Sequence, residues 1–114
     1  MRRPTLELEG KIELFGPFVS DGGYGWAVML PAKVPEGDTV EHPTASNIVL
    51  LEDGQPIGPP HTQHEWIRQY GGGRFSHWHR GLYFSTPDDS DPNLNNRRYV
   101  DGVPKAAAAK PKRK

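Results

Sequence analysis

The stretch from Thr5 to Phe15 reads TLELEGKIELF, in which Leu6, Leu8, Ile12 and Leu14 alternate with Glu7, Glu9, Lys11 and Glu13. A period of two sends successive side chains to opposite faces, so the segment predicts a β-strand with one apolar and one charged face. Gly10 marks a bulge or break, and because the parity is the same on both sides of it, one continuous or slightly bent strand is expected. Ser20-Asp21-Gly22-Gly23 predicts a turn into a second strand, Tyr24–Leu30 (YGWAVML). Residues 31–46 carry Pro31, Pro35, Gly37 and Pro43 among polar side chains and predict a loop. Asn47–Glu52 (NIVLLE) is a third strand, ending at Asp53-Gly54. That dipeptide suits a type I′ turn, whose two central residues need positive φ, so Gln55-Pro56-Ile57 is expected to return antiparallel. Pro56 has no N–H to give to a ladder, which places this arm at a sheet edge.

One helix is predicted, over residues 62–70. Thr62-Gln63-His64-Glu65 fits a capping box, Trp66, Ile67 and Tyr70 share a side, and Gly71 supplies a stop. Such a short helix needs tertiary packing to persist. Arg74–Ser85 (RFSHWHRGLYFS) predicts two strand pieces around Arg80-Gly81, and residues 86–96 (TPDDSDPNLNN) an acidic, proline-broken loop. Arg97–Val100 is a last short strand, with Asp101-Gly102 a further turn. About six short strands and one helix make a mainly-β domain over residues 1–104, a small antiparallel β-sandwich or barrel. Residues 105–114 (KAAAAKPKRK) have no large apolar side chain and are expected to form a disordered basic tail.

Composition narrows the class further. Gly 13 and Pro 12 in 114 residues exclude a helical bundle. With only 34% apolar residues, the aromatics must supply much of the core. At least six of Tyr24, Trp26, Trp66, Tyr70, Phe75, Trp78, Tyr83 and Phe84 are therefore expected to be buried. The absence of cysteine excludes disulfides, thiolate catalysis and Cys-ligated zinc. Met1-Arg2-Arg3-Pro4 leads into no apolar core of a secretory leader, and no apolar run approaches the ~20 residues of a membrane span. No membrane partner is read, and a cytoplasmic location is expected. The formal charge is zero, yet residues 105–114 hold five of the 14 Lys and Arg and none of the 14 acids, leaving residues 1–104 at −5. Nucleic acid is therefore not expected as a partner except through the basic tail.

Several constellations carry candidate chemistry. His61 and His64 open the helix, and His77 and His79 sit two apart in a strand, so both of the latter are expected on one face. Were the turn at residues 71–73 to fold helix against strand, the four rings could converge on zinc or another divalent metal. Apart from that possibility no cofactor is expected. Counting from Asp89, residues Asp89, Asp91, Asn93 and Asn95 resemble the start of a calcium loop, which fails at Leu94 and Val100. Aromatic side chains with polar neighbours around Arg74–Arg98 suit saccharide recognition, rings taking the apolar sugar faces and polar groups the hydroxyls.

The phrases LLEDGQPIGPPHTQHEWIRQYGGGRFSHW and LYFSTPDDSDPNLNNRRY resemble a small bacterial domain of no assigned chemistry. That domain occurs alone or appended to methyltransferases and glycosyltransferases of surface-polysaccharide synthesis. Pro87 stands where its pattern has Ser, and Asn96 where it has Gly. The resemblance covers about half the chain. It implies a mainly-β accessory domain in a glycan setting, with a shared surface drawn from His61, Arg74, His77, Trp78, Ser85, Asp91, Asn95, Arg97 and Tyr99.

The expected function is thus a non-catalytic binding module for a saccharide or related polar ligand. Its ligand contacts would be Arg74, His77, Trp78, Asp91, Asn95, Arg97 and Tyr99. Two other classes compete with it. One is a homo-oligomeric interaction or assembly protein; the other is a metal-dependent enzyme on His61, His64, His77 and His79.

Overall fold

The computed structural model describes residues 7–105. Thr5, Leu6 and residues 106–114 lie outside the described residues, as does nearly all of the expected tail. Lys105, assigned to that tail, donates its N–H to the Glu7 carbonyl at 2.9 Å and so extends the sheet pairing.

Eight strands and one helix are described: β1 (Leu8–Leu14), β2 (Val19–Ser20), β3 (Trp26–Met29), β4 (Val49–Glu52), β5 (Gln55–Ile57), α1 (His64–Tyr70), β6 (Phe75–Trp78), β7 (Gly81–Phe84) and β8 (Tyr99–Pro104). They form two four-stranded antiparallel sheets, ordered β1-β8-β4-β5 and β2-β3-β7-β6. Each keeps two edges, so the architecture is a sandwich and the barrel alternative is set aside. No described helix is long and apolar enough to cross a membrane.

Local chemistry explains most elements. Asp53 and Gly54 both take positive φ (50° and 84°), as the type I′ turn requires, and β5 with Pro56 is an edge strand. Gly71 caps α1 at φ 58°, its N–H donating to the Ile67 carbonyl. The core lies between the sheets: Leu14, Leu50 and Tyr99 of one meet Phe75, Leu82 and Phe84 of the other, with Phe18, Leu30 and Val34 from the connections. Phe18 stands edge-on to Phe84 and Tyr99, with centroids 5.4 and 5.9 Å apart. Such pairs add about 1 kcal/mol each beyond the area they bury.

Five expectations are corrected. Gly10, at φ 61°, does form a bulge, but the bulge reverses the parity that a continuous strand would keep. Glu9 pairs with Val103 and Ile12 with Asp101, so three steps on β1 match two on β8. The extra residue turns Leu8 to the outer face, beside Leu51 and Val100, while Ile12 and Leu14 face the core. Asp101-Gly102 is no turn but the middle of β8, which runs to Pro104 because β1 and β4 hydrogen-bond it from both sides. The capping box does not form. The N-cap is Gln63 without a side-chain bond, and the Thr62 hydroxyl donates instead to the Pro59 carbonyl. The chain reverses at His79-Arg80, with Gly81 already in β7. Finally, only Phe75 and Phe84 of the eight named aromatics are buried; Trp26, Trp78 and Tyr83 are half-buried, and Tyr24, Trp66 and Tyr70 are exposed. Aliphatic residues with Phe18 and Tyr99 fill the space the others were expected to take.

Candidate functional site

β6 alternates strictly. Phe75 and His77 face inward, while Ser76 and Trp78 face the outer side of the second sheet. Across from Ser76 in the ladder is Tyr83, and the His64 ring at the start of α1 stacks on it, centroids 4.2 Å apart. Between α1 and the loop after β3 opens a cavity of about 480 Å³, lined by Asp38, His61, Thr62, Gln63, His64, Ser76 and Trp78 with Pro43. That lies within the size range of small-molecule sites.

The loop reaches this cavity by acting as an extra rung on β6. Asp38 bridges Trp78 in parallel fashion: its N–H donates to the His77 carbonyl (2.7 Å), and its carbonyl accepts from the His79 N–H (3.0 Å). Gly37 must precede it, because a Cβ there would overlap the His77 ring and carbonyl. On the other side, Thr62 N–H donates to the Phe75 carbonyl and Phe75 N–H to the Pro59 carbonyl, fastening residues 59–62 beside the start of β6.

These two attachments bring Asp38 and His61 together. Asp38 is 1% exposed. Its Oδ1 accepts from Ser46 N–H at 2.7 Å, and its Oδ2 accepts from His61 Nδ1–H at 2.6 Å. Ser46 Oγ lies 2.6 Å from His77 Nδ1, so one chain of hydrogen bonds runs from His61 at the cavity to His77 in the interior. Asp38 fixes the His61 tautomer with the proton on Nδ1, leaving Nε2 as the acceptor available to a ligand. His61 is also held at φ 58°, a conformation that costs a non-glycine residue about 1 kcal/mol and recurs at functional sites. Next to it, His64 Nε2 lies 3.2 Å from Ser76 Oγ. Burial holds the His64 and His77 pKa values below the ordinary histidine value, so both rings are neutral at pH 7.

The nine residues of the expected surface separate into groups. His61 and Trp78 line the cavity. His77 is 3% exposed beneath it, and its Nε2 has no partner among the described residues. Arg74 stands apart, its guanidinium 5.7 Å from the centre of the half-exposed Tyr70 ring and donating to the Gly71 carbonyl. Ser85 is buried and accepts from Gly73 N–H.

Asp91, Asn95, Arg97 and Tyr99 belong to a different network. Arg97 grips Asp88 with two N–H groups and reaches Glu52 with one. The Tyr99 hydroxyl donates to Glu52 Oε2 (2.7 Å) and accepts from Asn95 Nδ2 (2.8 Å), while Asp91 Oδ1 accepts from Asn93 N–H. The Arg97 and Ser90 donors hold the Asp88 carboxyl well below the usual carboxylate range. Tyr99 is fully buried, so it braces the loop and offers no surface to a ligand, contrary to the expectation for it.

The four histidines are not brought together around one point. His77 and His79 do not share a face, because β6 ends at Trp78 and His79 turns away at φ 53°. His61 bonds Asp38, His64 meets Ser76, His77 meets Ser46 and His79 meets Glu36. Among the described residues no three His, Asp or Glu side chains are placed to share a metal ion. The oxygens of Asp89, Asp91, Asn93 and Asn95 are directed at backbone N–H groups of Gly72, Asn93, Phe18 and Arg97, so no calcium loop is assembled.

Asp38 and Ser76 are cavity residues that sequence reasoning missed, and so is Ser46, which supports Asp38 from behind. Asp38 lies in a proline-broken loop without periodicity, so no local signal distinguishes it from a solvated turn residue. Comparison of the chain with protein-family models, with curated proteins and with solved structures returns no match.

Proposed function

We propose that the protein is a non-catalytic binding module for a saccharide or a closely related polar ligand, seated in the cavity between α1 and Asp38. The supporting observation is the pairing, on one wall, of the half-buried Trp78 with a histidine locked by a buried aspartate. A pyranose presents an apolar face to an aromatic ring and hydroxyls to its edges. Here His61 Nε2, the Thr62 hydroxyl, the Gln63 amide and the Ser76 hydroxyl are the polar groups of the wall. Because Asp38 fixes His61 before any ligand arrives, little ordering remains to oppose binding. The glycan setting implied by the sequence resemblance agrees with this reading.

NMR titration of the full chain with mono- and disaccharides is the test. Saturable shifts should centre on His61, His64 and the Trp78 indole, and Trp78→Ala should abolish them. An absence of shifts at millimolar concentration across the panel would overturn the reading.

One observation favours a second reading. An aspartate on Nδ1 that leaves Nε2 as a free acceptor is the arrangement of a general base. Slow conversion of a bound saccharide at pH 7, lost in His61→Gln, would replace the binding module by an enzyme.

A further inference from the structure

The electrostatics of the cavity at His61 are one-sided. Asp38 is the single carboxylate among its lining residues, and no lysine or arginine stands with it. Of the Asp, Glu, Lys and Arg side chains within two positions of that lining, Glu36, Glu41 and Glu65 are acids. The two cations, Arg74 and Arg80, are turned to the carbonyls of Gly71 and Pro31. His64 is held neutral at pH 7 by burial.

Asp38 accepts from Ser46 N–H and His61 Nδ1–H, and among the described residues no lysine or arginine pairs with it. A carboxylate in the interior is weakly screened, so its charge favours a cation nearby. No ligand can touch this carboxylate, but one can reach the ring in front of it. The His61 side chain is 28% exposed against 2% for Asp38, and with Nδ1 committed to Asp38 the free nitrogen is Nε2, an acceptor. Thr62 has the same preference: its hydroxyl proton goes to the Pro59 carbonyl, so only its lone pairs are left to a ligand. The Trp78 ring is negative on its face and holds a cation placed over it.

We infer that the saccharide this cavity takes is an amino sugar with a free ammonium group. The inference rests on the saccharide reading above and names the substituent that the wall selects. The ammonium donates to His61 Nε2, with Thr62 Oγ as a second acceptor, and its charge lies one imidazole away from Asp38. The pyranose face rests on Trp78. A hydroxyl in place of the ammonium makes the hydrogen bond without the charge, and a carboxylate meets the field of Asp38 with no cation to hold it.

Titration of the full chain with glucosamine, N-acetylglucosamine, glucose and glucuronate tests the assignment. It is run at pH 7, where an amine of the α-amino range is largely protonated, and read at the His61 ring and the Trp78 indole by NMR. Glucosamine should bind about tenfold tighter than glucose or N-acetylglucosamine, and glucuronate should give no saturable shift. Asp38→Asn, checked for folding by thermal melting, should bring glucosamine down to the affinity of glucose. If that variant unfolds, the ranking in the unaltered chain still decides. Equal or tighter binding of any of the other three sugars would overturn the proposal and leave the saccharide reading standing, as would an undiminished preference in Asp38→Asn. Binding of none of the four would also overturn it, and the wider saccharide panel would then decide the reading itself.

Discussion

Two regions of this protein are equally rich in hydrogen-bonding side chains and behave in opposite ways. In the loop between β7 and β8, Asp88, Ser90, Asn93, Asn95 and Arg97 satisfy one another, the backbone, Glu52 and Tyr99. At the cavity, Asp38 satisfies one nitrogen of His61 and leaves the other without a partner among the described residues. The first network holds a long connection against the sandwich. The second holds one group ready for something else. Polar density therefore does not mark a site; what marks it is a rigidly supported atom that the protein itself does not pair.

Substitutions can break that distinction. Tyr99→Ala should have the largest effect, about 4 kcal/mol in urea denaturation, by hollowing the core contact with Phe18 and Phe84 and releasing the loop. Gly37→Ala should cost about 2 kcal/mol and abolish saccharide shifts, because the displaced rung carries Asp38 away from His61. Asp38→Ala should also cost about 2 kcal/mol, leaving Ser46 N–H and His61 Nδ1 without an acceptor, and weaken the ligand at least tenfold. Arg97→Ala is its counterpart. It should speed proteolysis within residues 86–96 while leaving saccharide shifts intact; an equal loss of binding would erase the distinction between the two networks.

The pH dependence of stability separates the two sheets. His64 and His77 titrate below their unfolded value, so the unfolded chain takes up protons first and stability falls as the pH drops below about 6.5. Asp101, buried in β8, acts in the opposite sense. Its carboxyl is raised to about 6 from 3.8, so the folded chain binds the proton first and stability is gained between those values as the pH falls. Asp101→Asn should remove a gain on the order of 2 kcal/mol and steepen the acid-side loss, while His77→Gln should flatten it. Urea midpoints measured from pH 7 to 4 give both slopes. The smallest effect is expected for Thr62→Ala, within about 0.5 kcal/mol, whereas a working capping box would lose about 1 kcal/mol.

Local chemistry made much of the sandwich legible. Alternation located β1, the Ser20–Gly23 turn preceded β3, and a short apolar run ending at Asp53-Gly54 located β4; Asp53-Gly54 specified the hairpin; Pro56 specified the edge; and Gly71 ended the helix. β2 was not legible, because two residues carry no period and Val19-Ser20 is a strand only by pairing with Ala27 and Trp26. Asp101-Gly102 reads as a turn by type, and becomes a strand because partners on both sides supply the ladder bonds. The histidines were conspicuous but their grouping was misleading, since spacing along the chain says nothing about which partner each ring finds in space.

The amino-acid sequence by itself determined the mainly-β class and the short helix before β6. These follow from side-chain period and residue type, which act over a few positions. Only the tertiary structure decided that Asp38 locks His61, that Tyr99 and Arg97 brace a loop, and that Asp101 lies buried beside a bulge. Each of these depends on contacts between residues 23 to 89 positions apart, and on one inserted residue whose effect on facing appears only when β1 is laid against β8.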